Sequence, residues 1–170
     1  IFKHVLDFGG KAVITKENHP SGTDRCFEAL ANVGGHFDYV INIQGDEPFI
    51  QPEQIDLLAK CFSDSSTELA TLIMQTEDPN LIHNINRIKV TIDKNNTALY
   101  FSRAAIPFMK GTQPGEWGSI HPYYLHIGIY GYRSDILKEI TKLPVSGLEK
   151  SESLEQLRWL ENGYRIKVAH

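Results

Sequence analysis

Apolar residues along this chain switch repeatedly between a period of about two and a period of about 3.6 residues, the side-chain repeats of strands and helices. Residues 1–8 place Ile1, Val5 and Phe8 at near-helical spacing and then meet Gly9-Gly10, a helix end. Residues 12–15 read as a short apolar strand. Ser21-Gly-Thr-Asp24 resembles a capping box and opens a helix with Phe27, Leu30 and Ala31 on one face. The pattern then repeats. Tyr39-Val-Ile-Asn-Ile is a buried strand, and Pro52 sits at the first turn of a helix that carries Ile55, Leu58, Ala59 and Phe62. Residues 69–75 form the next strand, followed by a short polar segment around 78–84.

From Arg87 the texture changes. Residues 87–93 and 98–103 read as two strands flanking Lys94-Asn95-Asn96-Thr97, where adjacent asparagines suit the positive φ of a tight antiparallel hairpin. Residues 105–122 hold Pro107, Gly111, Pro114, Gly115, Gly118 and Pro122 with neither period, which predicts a long loop. A strand over 123–132, helices over 135–143 and 151–162, the latter closed by Gly163, and a last strand over 164–169 complete the chain. The alternation predicts a single-domain, three-layer α/β fold with a mostly parallel sheet and an antiparallel hairpin insertion.

Composition narrows the field of functions. With 170 residues, 41% hydrophobic and 22% charged, the chain is long enough for one domain with a substantial core. A net charge of −4 gives no general attraction for nucleic acid or an anionic membrane, so an anionic ligand must be caught locally. Cys26 and Cys61 lack metal-type spacing and fall within the predicted helices, as buried free thiols in a reducing compartment do. No apolar run reaches the roughly 20 residues of a membrane span, and the first residues lack the charged-then-apolar order of a signal peptide. The expectation is a cytoplasmic protein.

Four places carry polar residues that packing does not require. The first is Gln44-Gly45-Asp46-Glu47-Pro48, where a strand delivers carboxylates to the end of a sheet at which open α/β folds place their chemistry. Asp46 there suits Mg²⁺, which takes one or two protein carboxylates beside phosphate oxygens and water; a solvated acidic turn is the other reading. The second, His19-Pro-Ser-Gly-Thr-Asp-Arg25, is a loop entering a helix, able to meet a phosphate or hydroxyl-rich ligand through backbone amides and a carboxylate through Arg25. A plain N-cap with an exposed arginine explains it equally well. The third joins Tyr100-Phe-Ser-Arg103 to residues 126–133, in which His126, Gly128 and Tyr130 share a strand face, either as a polar seat or as a half-buried surface. In the fourth, Glu155, Gln156 and Arg158 flank a stripe of Leu154, Leu157 and Leu160, as on any charged helix face.

All four occur together, in order, in one family. The chain closely resembles the 3-deoxy-D-manno-octulosonate cytidylyltransferases, or CMP-Kdo synthetases, through His19-x-Ser-Gly-Thr-x-Arg25, Asn42-x-Gln-Gly-Asp-Glu-Pro48, Ala98-Leu-Tyr-Phe-Ser-Arg103-Ala-x-Ile-Pro107, His126-x-Gly-Ile-Tyr-Gly-Tyr-Arg133 and Leu154-Glu-Gln-Leu-Arg158. The resemblance implies a Rossmann-like nucleotidyltransferase fold that transfers CMP from CTP to Kdo for lipopolysaccharide biosynthesis, with Mg²⁺ as cofactor and a homodimer as the working assembly. It implies that Asp46 is the Mg²⁺ ligand and, with Arg103, catalytic. Arg25, Gln44, Arg103, His126, Tyr130, Glu155 and Gln156 would surround the sugar, and Ser21 and Gly22 would meet the nucleotide. A cytidylyltransferase for another acidic sugar such as sialic acid, or a non-catalytic sugar-nucleotide binding domain, would share part of this pattern.

The resemblance also has two departures. The family's opening basic loop, of the type PARxxSxRxPGKPL, and its later GxxVDTxxDL segment have no counterpart here, so the chain is expected to be cut at both ends. A protein of these 170 residues alone is therefore expected to bind CTP poorly and turn over little or not at all. Measurable CMP-Kdo formation by a sample whose mass matches only these residues would contradict this.

Overall fold

The computed structural model describes residues 1–45 and 49–170. Helix α1 (Phe2–Asp7) opens the chain, followed by α2 (Gly22–Val33), β1 (Tyr39–Asn42), α3 (Pro52–Cys61), β2 (Leu69–Thr76) and the short α4 (Pro79–Ile82). The hairpin is β3 (Lys89–Ile92) and β4 (Ala98–Ser102). Then come α5 (Trp117–Ile120), β5 (Tyr123–Arg133), α6 (Ser134–Ile140), α7 (Gly147–Glu152), α8 (Gln156–Glu161) and β6 (Ile166–Ala169).

Among the described residues the six strands form one sheet in the order β4-β3-β5-β2-β6, with β1 also on β5. Strands β1, β2, β3 and β6 run one way and β4 and β5 the other, so the mostly parallel sheet holds for strand direction. Direct neighbours are nevertheless antiparallel except for β2 and β6, because β5 lies between the strands that share a direction. The hairpin forms as predicted: Asn96 takes φ 56°, and the Asp93 carboxylate accepts from the backbone N–H groups of Asn95 and Thr97.

Period two explains why helices lie on both faces. Along β2, Leu69 and Ile73 join one cluster with Tyr130, Tyr132, Leu157 and Trp159, while Ala70 and Leu72 join another with Leu58 and Ile129. Residues of α2, α6 and α8 cover the first face, and α3 covers the second, giving three layers. No helix among the described residues is long and apolar enough to cross a membrane.

Three expected elements differ. Residues 12–15 form no strand; Ile14 is 71% exposed, and side chains of α2 take the local carbonyls, Asn32 donating to Ile14 and Arg25 to Lys16 and Glu17. The 105–122 loop contains a 3₁₀ turn and α5, organised by buried Trp117, whose Nε1 donates to the Thr112 carbonyl. The helix expected over 151–162 breaks at Ser153, which takes φ 52°, ψ 49° and leaves α7 and α8 as separate pieces. Cys26 and Cys61 are free, as expected, but only half-buried.

The backbone at Gly118 packs against Glu77 so closely that an added Cβ would lie 2.3 Å from the Glu77 carbonyl oxygen. Gly118→Ala must displace backbone rather than a flexible side chain, so it should cost about 1–3 kcal/mol in urea unfolding. An unchanged midpoint would show that the two segments separate freely.

Candidate active site

Strand β5 shares one edge between two partners. Its residues 130–133 pair with β1, and Tyr124 and Leu125 pair with β3, leaving residues 127–129 without a strand neighbour on that edge among the described residues. The carboxyl end of β1 and the amino end of β3 therefore meet beside the middle of β5. Side chains from four other elements converge there.

His126 and Tyr130 do share a strand face, with ring centroids 5.1 Å apart. Phe101 of β4 meets the His126 ring edge-on at 5.3 Å, and Trp159 of α8 meets Tyr130 edge-on at 5.1 Å. Burial among these rings lowers the His126 pKa to about 4, so the imidazole is neutral at physiological pH. The same burial raises the Tyr130 pKa well above its ordinary value and keeps the hydroxyl a donor. That hydroxyl, Asn42 Nδ2 and Trp159 Nε1 are buried with no hydrogen-bond partner among the described residues. Unpaired buried donors are costly; the Tyr130 and Trp159 rings meet each other and Asn42 lines the cleft beside β1, a set of donors that suits a polar ligand.

Glu155 reaches the same place because the helix breaks at Ser153. Thr23 Oγ1 donates to Glu155 Oε2 at 2.8 Å and lies 3.4 Å from the Tyr132 hydroxyl, joining the start of α2 to α8 and β5. Burial raises the Glu155 pKa, opposed by the hydrogen bond it accepts from Thr23. Gln156 is buried in the first turn of α8. Beneath it the Arg158 guanidinium pairs with Glu149 at 2.6 and 2.7 Å, a largely buried pair that holds α7 against α8.

Arg103 is fixed from the other side. Its Nε donates to the Glu152 carbonyl at 2.6 Å, and its terminal nitrogens reach the carbonyls of Ile85 and Ser153 at 3.3 Å. Three of the five N–H donors of a guanidinium are used, so two remain for a ligand. Lys89 supports this arrangement and was not legible in the pattern of β3, where alternation places it with Thr91 and Asp93 on the polar side. It is fully buried, and its ammonium donates to the carbonyls of Asn84, Arg87 and Arg103. A lone lysine between Ile88 and Val90 was the available signal.

A cleft of about 450 Å³ opens beside β1, lined by Thr15, Gly22, Arg25, Asn42, Gln44 and Gly45 among others. Gly22 lies so near that a Cβ there would come within 3.6 Å of Gln44 Oε1 and 3.7 Å of Asn42 Nδ2. Arg25 is partly committed, since Nη1 donates to Thr15 Oγ1 and the Lys16 carbonyl, both at 2.8 Å. Ser21 is committed to the helix cap, accepting from the Asp24 N–H at 3.2 Å and donating to its carboxylate at 2.6 Å. Asp46 lies outside the described residues. Thus Arg25, Gln44 and Gly22 share one cleft, while buried Tyr130 and half-buried His126 and Glu155 share the neighbouring cluster. A smaller, 170 Å³ pocket between Asp64, Thr67, Asn95, Arg165 and Lys167 lies at the amino ends of β2 and β6, away from both.

An open α/β sheet with a polar cleft at a strand's carboxyl end is the frame of a nucleotide-using enzyme. Residues 1–166 match the family model described as cytidylyltransferase, and the chain belongs to that family. Within it the chain stands among the 3-deoxy-manno-octulosonate cytidylyltransferases: it is 56% identical to that enzyme of Bacteroides thetaiotaomicron over 167 residues, covering 96% of this chain and 67% of the relative. The Parabacteroides distasonis enzyme is 53% identical over 168 residues, with 96% and 67% covered. A structure of CMP:2-keto-3-deoxy-manno-octonic acid synthetase complexed with CTP superposes with a TM-score of 0.88 at 37% identity, over 99% of this chain and 66% of that one. The chain thus spans about two thirds of the length of these relatives.

The depressed His126 pKa carries a consequence for stability. Unfolded, the imidazole protonates near 6.5; folded, near 4, so unfolding takes up a proton between these values. The contribution of this group is full above about pH 6.5 and is lost as pH falls toward 4. His126→Asn, which cannot titrate, should lose less stability over that window than the unaltered protein in urea unfolding. Equal losses would show that His126 is not buried uncharged.

Proposed function

We propose that this protein belongs to an enzyme that transfers CMP from CTP to the anomeric hydroxyl of Kdo, giving CMP-Kdo and pyrophosphate for lipopolysaccharide biosynthesis. The observation that carries the reading is the partly buried polar cluster beside the divided edge of β5, where a neutral His126, an unpaired Tyr130 hydroxyl and Glu155 meet beside the cleft of Arg25 and Gln44. Such a seat offers several oriented donors and acceptors to a polyhydroxylated sugar, and its rings exclude water. Arg25 and Arg103, each with donors to spare, would hold the sugar carboxylate. Gln156 and Gln44 would fix hydroxyls, and Ser21 and Gly22 would approach the nucleotide at the start of α2.

In the reaction the anomeric oxygen forms a bond to the α-phosphorus of CTP as the bond to the β-phosphate oxygen breaks. The chain's contribution is orientation. Fixed polar groups hold the acceptor hydroxyl in line and keep it dry, which is where most of the acceleration of such a transfer lies. The described lining of the cleft, Arg25 with the amides at the start of α2, suits an anion. Mg²⁺ would therefore rest on Asp46 and on the phosphates it accompanies, and when bound would neutralise charge at the α-phosphate and acidify the sugar hydroxyl.

The reading includes one nucleotidyltransferase domain over 1–170, acting in the cytoplasm as a homodimer without nucleic-acid or membrane partners. The exposed apolar side chains of Leu99, Phe108 and Ile120 favour the hairpin and the 105–122 segment as the subunit contact.

A panel of acidic sugars offered to the full-length protein with CTP and Mg²⁺ tests the assignment. Kdo should be preferred over sialic acid by at least about 100-fold in kcat/KM, because a seat built for hydrogen bonds rejects a sugar that leaves them unmade. Equal use of both sugars would contradict it.

A further inference from the structure

Thr71 is a fully buried hydroxyl within an otherwise apolar stretch of β2. It stands at the irregularity where the pairing with β5 jumps from Tyr130 to Ile127. Its Oγ1 lies 2.7 Å from the Ile129 carbonyl oxygen, 3.3 Å from that of Ile127 and 3.0 Å from His126 Nε2. A hydroxyl has one hydrogen to give. The shortest contact assigns it to the Ile129 carbonyl, so a lone pair of Oγ1 faces Nε2 and that nitrogen must be the donor. Because the imidazole is neutral, a proton on Nε2 leaves Nδ1 with its lone pair. No hydrogen bond to Nδ1 is made by the described residues.

We infer that Thr71 is a positioning residue for sugar recognition: it anchors His126 through Nε2–H and so presents Nδ1 as an acceptor for a hydroxyl of the acidic sugar. The inference rests on the reading of His126 as a sugar contact. The tautomer decides what the ring can read. An Nδ1 acceptor selects a hydroxyl, whereas an Nδ1–H donor would select a carboxylate or carbonyl oxygen. Thr71 also ties this choice to the irregularity in β5, because the same hydroxyl bonds the carbonyl beside the divided edge.

Long-range ¹H–¹⁵N correlation of the histidine rings in the full-length protein near neutral pH reads the tautomer directly. The expected pattern for His126 is a protonated Nε2 and a bare Nδ1; a protonated Nδ1 in the unaltered protein overturns the inference without any variant. Thr71→Val keeps the shape and removes the hydroxyl. It should mix the tautomers and raise KM for Kdo about tenfold with KM for CTP unchanged, and Thr71→Ser should restore both. An unchanged tautomer in Thr71→Val overturns the anchoring role. A changed tautomer with an unchanged KM for Kdo also overturns the proposal, and traces the failure to the reading of His126 rather than to the hydrogen-bond assignment. Should Thr71→Val fail to fold, the unaltered protein and Thr71→Ser still decide.

Discussion

Strand β5 spans 11 residues, whereas β1 and β3, which share one of its edges, have four each. No single partner covers that edge, and the architecture follows from how it is divided. Backbone groups cannot be buried unpaired without cost, so the strand is tolerated only where something else closes the interval. On the β2 side the closure comes from a side chain, Thr71, whose hydroxyl spans the irregularity. On the divided side the interval becomes the place where polar groups from β1, α2, α8 and β5 itself are gathered. The site is a consequence of strand lengths as much as of the residues that line it.

Buried charge imposes the second constraint. Lys89, Arg158, Glu149 and Glu155 all sit where a lone ion would be costly, and each is compensated differently. Lys89 is ringed by carbonyls, Arg158 and Glu149 neutralise one another, and Glu155 accepts from Thr23. These bonds hold β3 to residues 84–87 and to the end of β4, α7 to α8, and α8 to α2. Each junction borders the proposed sugar seat, so the network that keeps the interior neutral also fixes the geometry of recognition.

Much of this is written locally in the chain. Near-continuous apolar runs in β2 and β5 announce strands packed on both faces, and Asn95-Asn96 announces the hairpin. The shared face of His126 and Tyr130 follows from period two alone. What local pattern does not carry is anything decided by partners. Residues 12–15 have the apolar character of a strand but no strand partner among the described residues, and helix side chains take the carbonyls of Ile14, Lys16 and Glu17. The run 151–162 has a continuous leucine stripe, yet Ser153 turns left-handed and hands Glu155 to the site. Thr71 and Lys89 look like interruptions of hydrophobic strands; their meaning exists only where several carbonyls or a second side chain converge. Asp46, the most conspicuous residue of the sequence pattern, lies outside the described residues, so its part in the proposal rests on the motif.

The central claim is that the divided edge of β5 seats the acidic sugar. Amide NMR of the full-length protein titrated with Kdo alone tests it most directly. The account predicts saturable shifts at residues 126–130 and at Glu155 and Gln156, with the pocket of Asp64 and Arg165 unmoved. Shifts confined to that pocket, or none along β5, would contradict it.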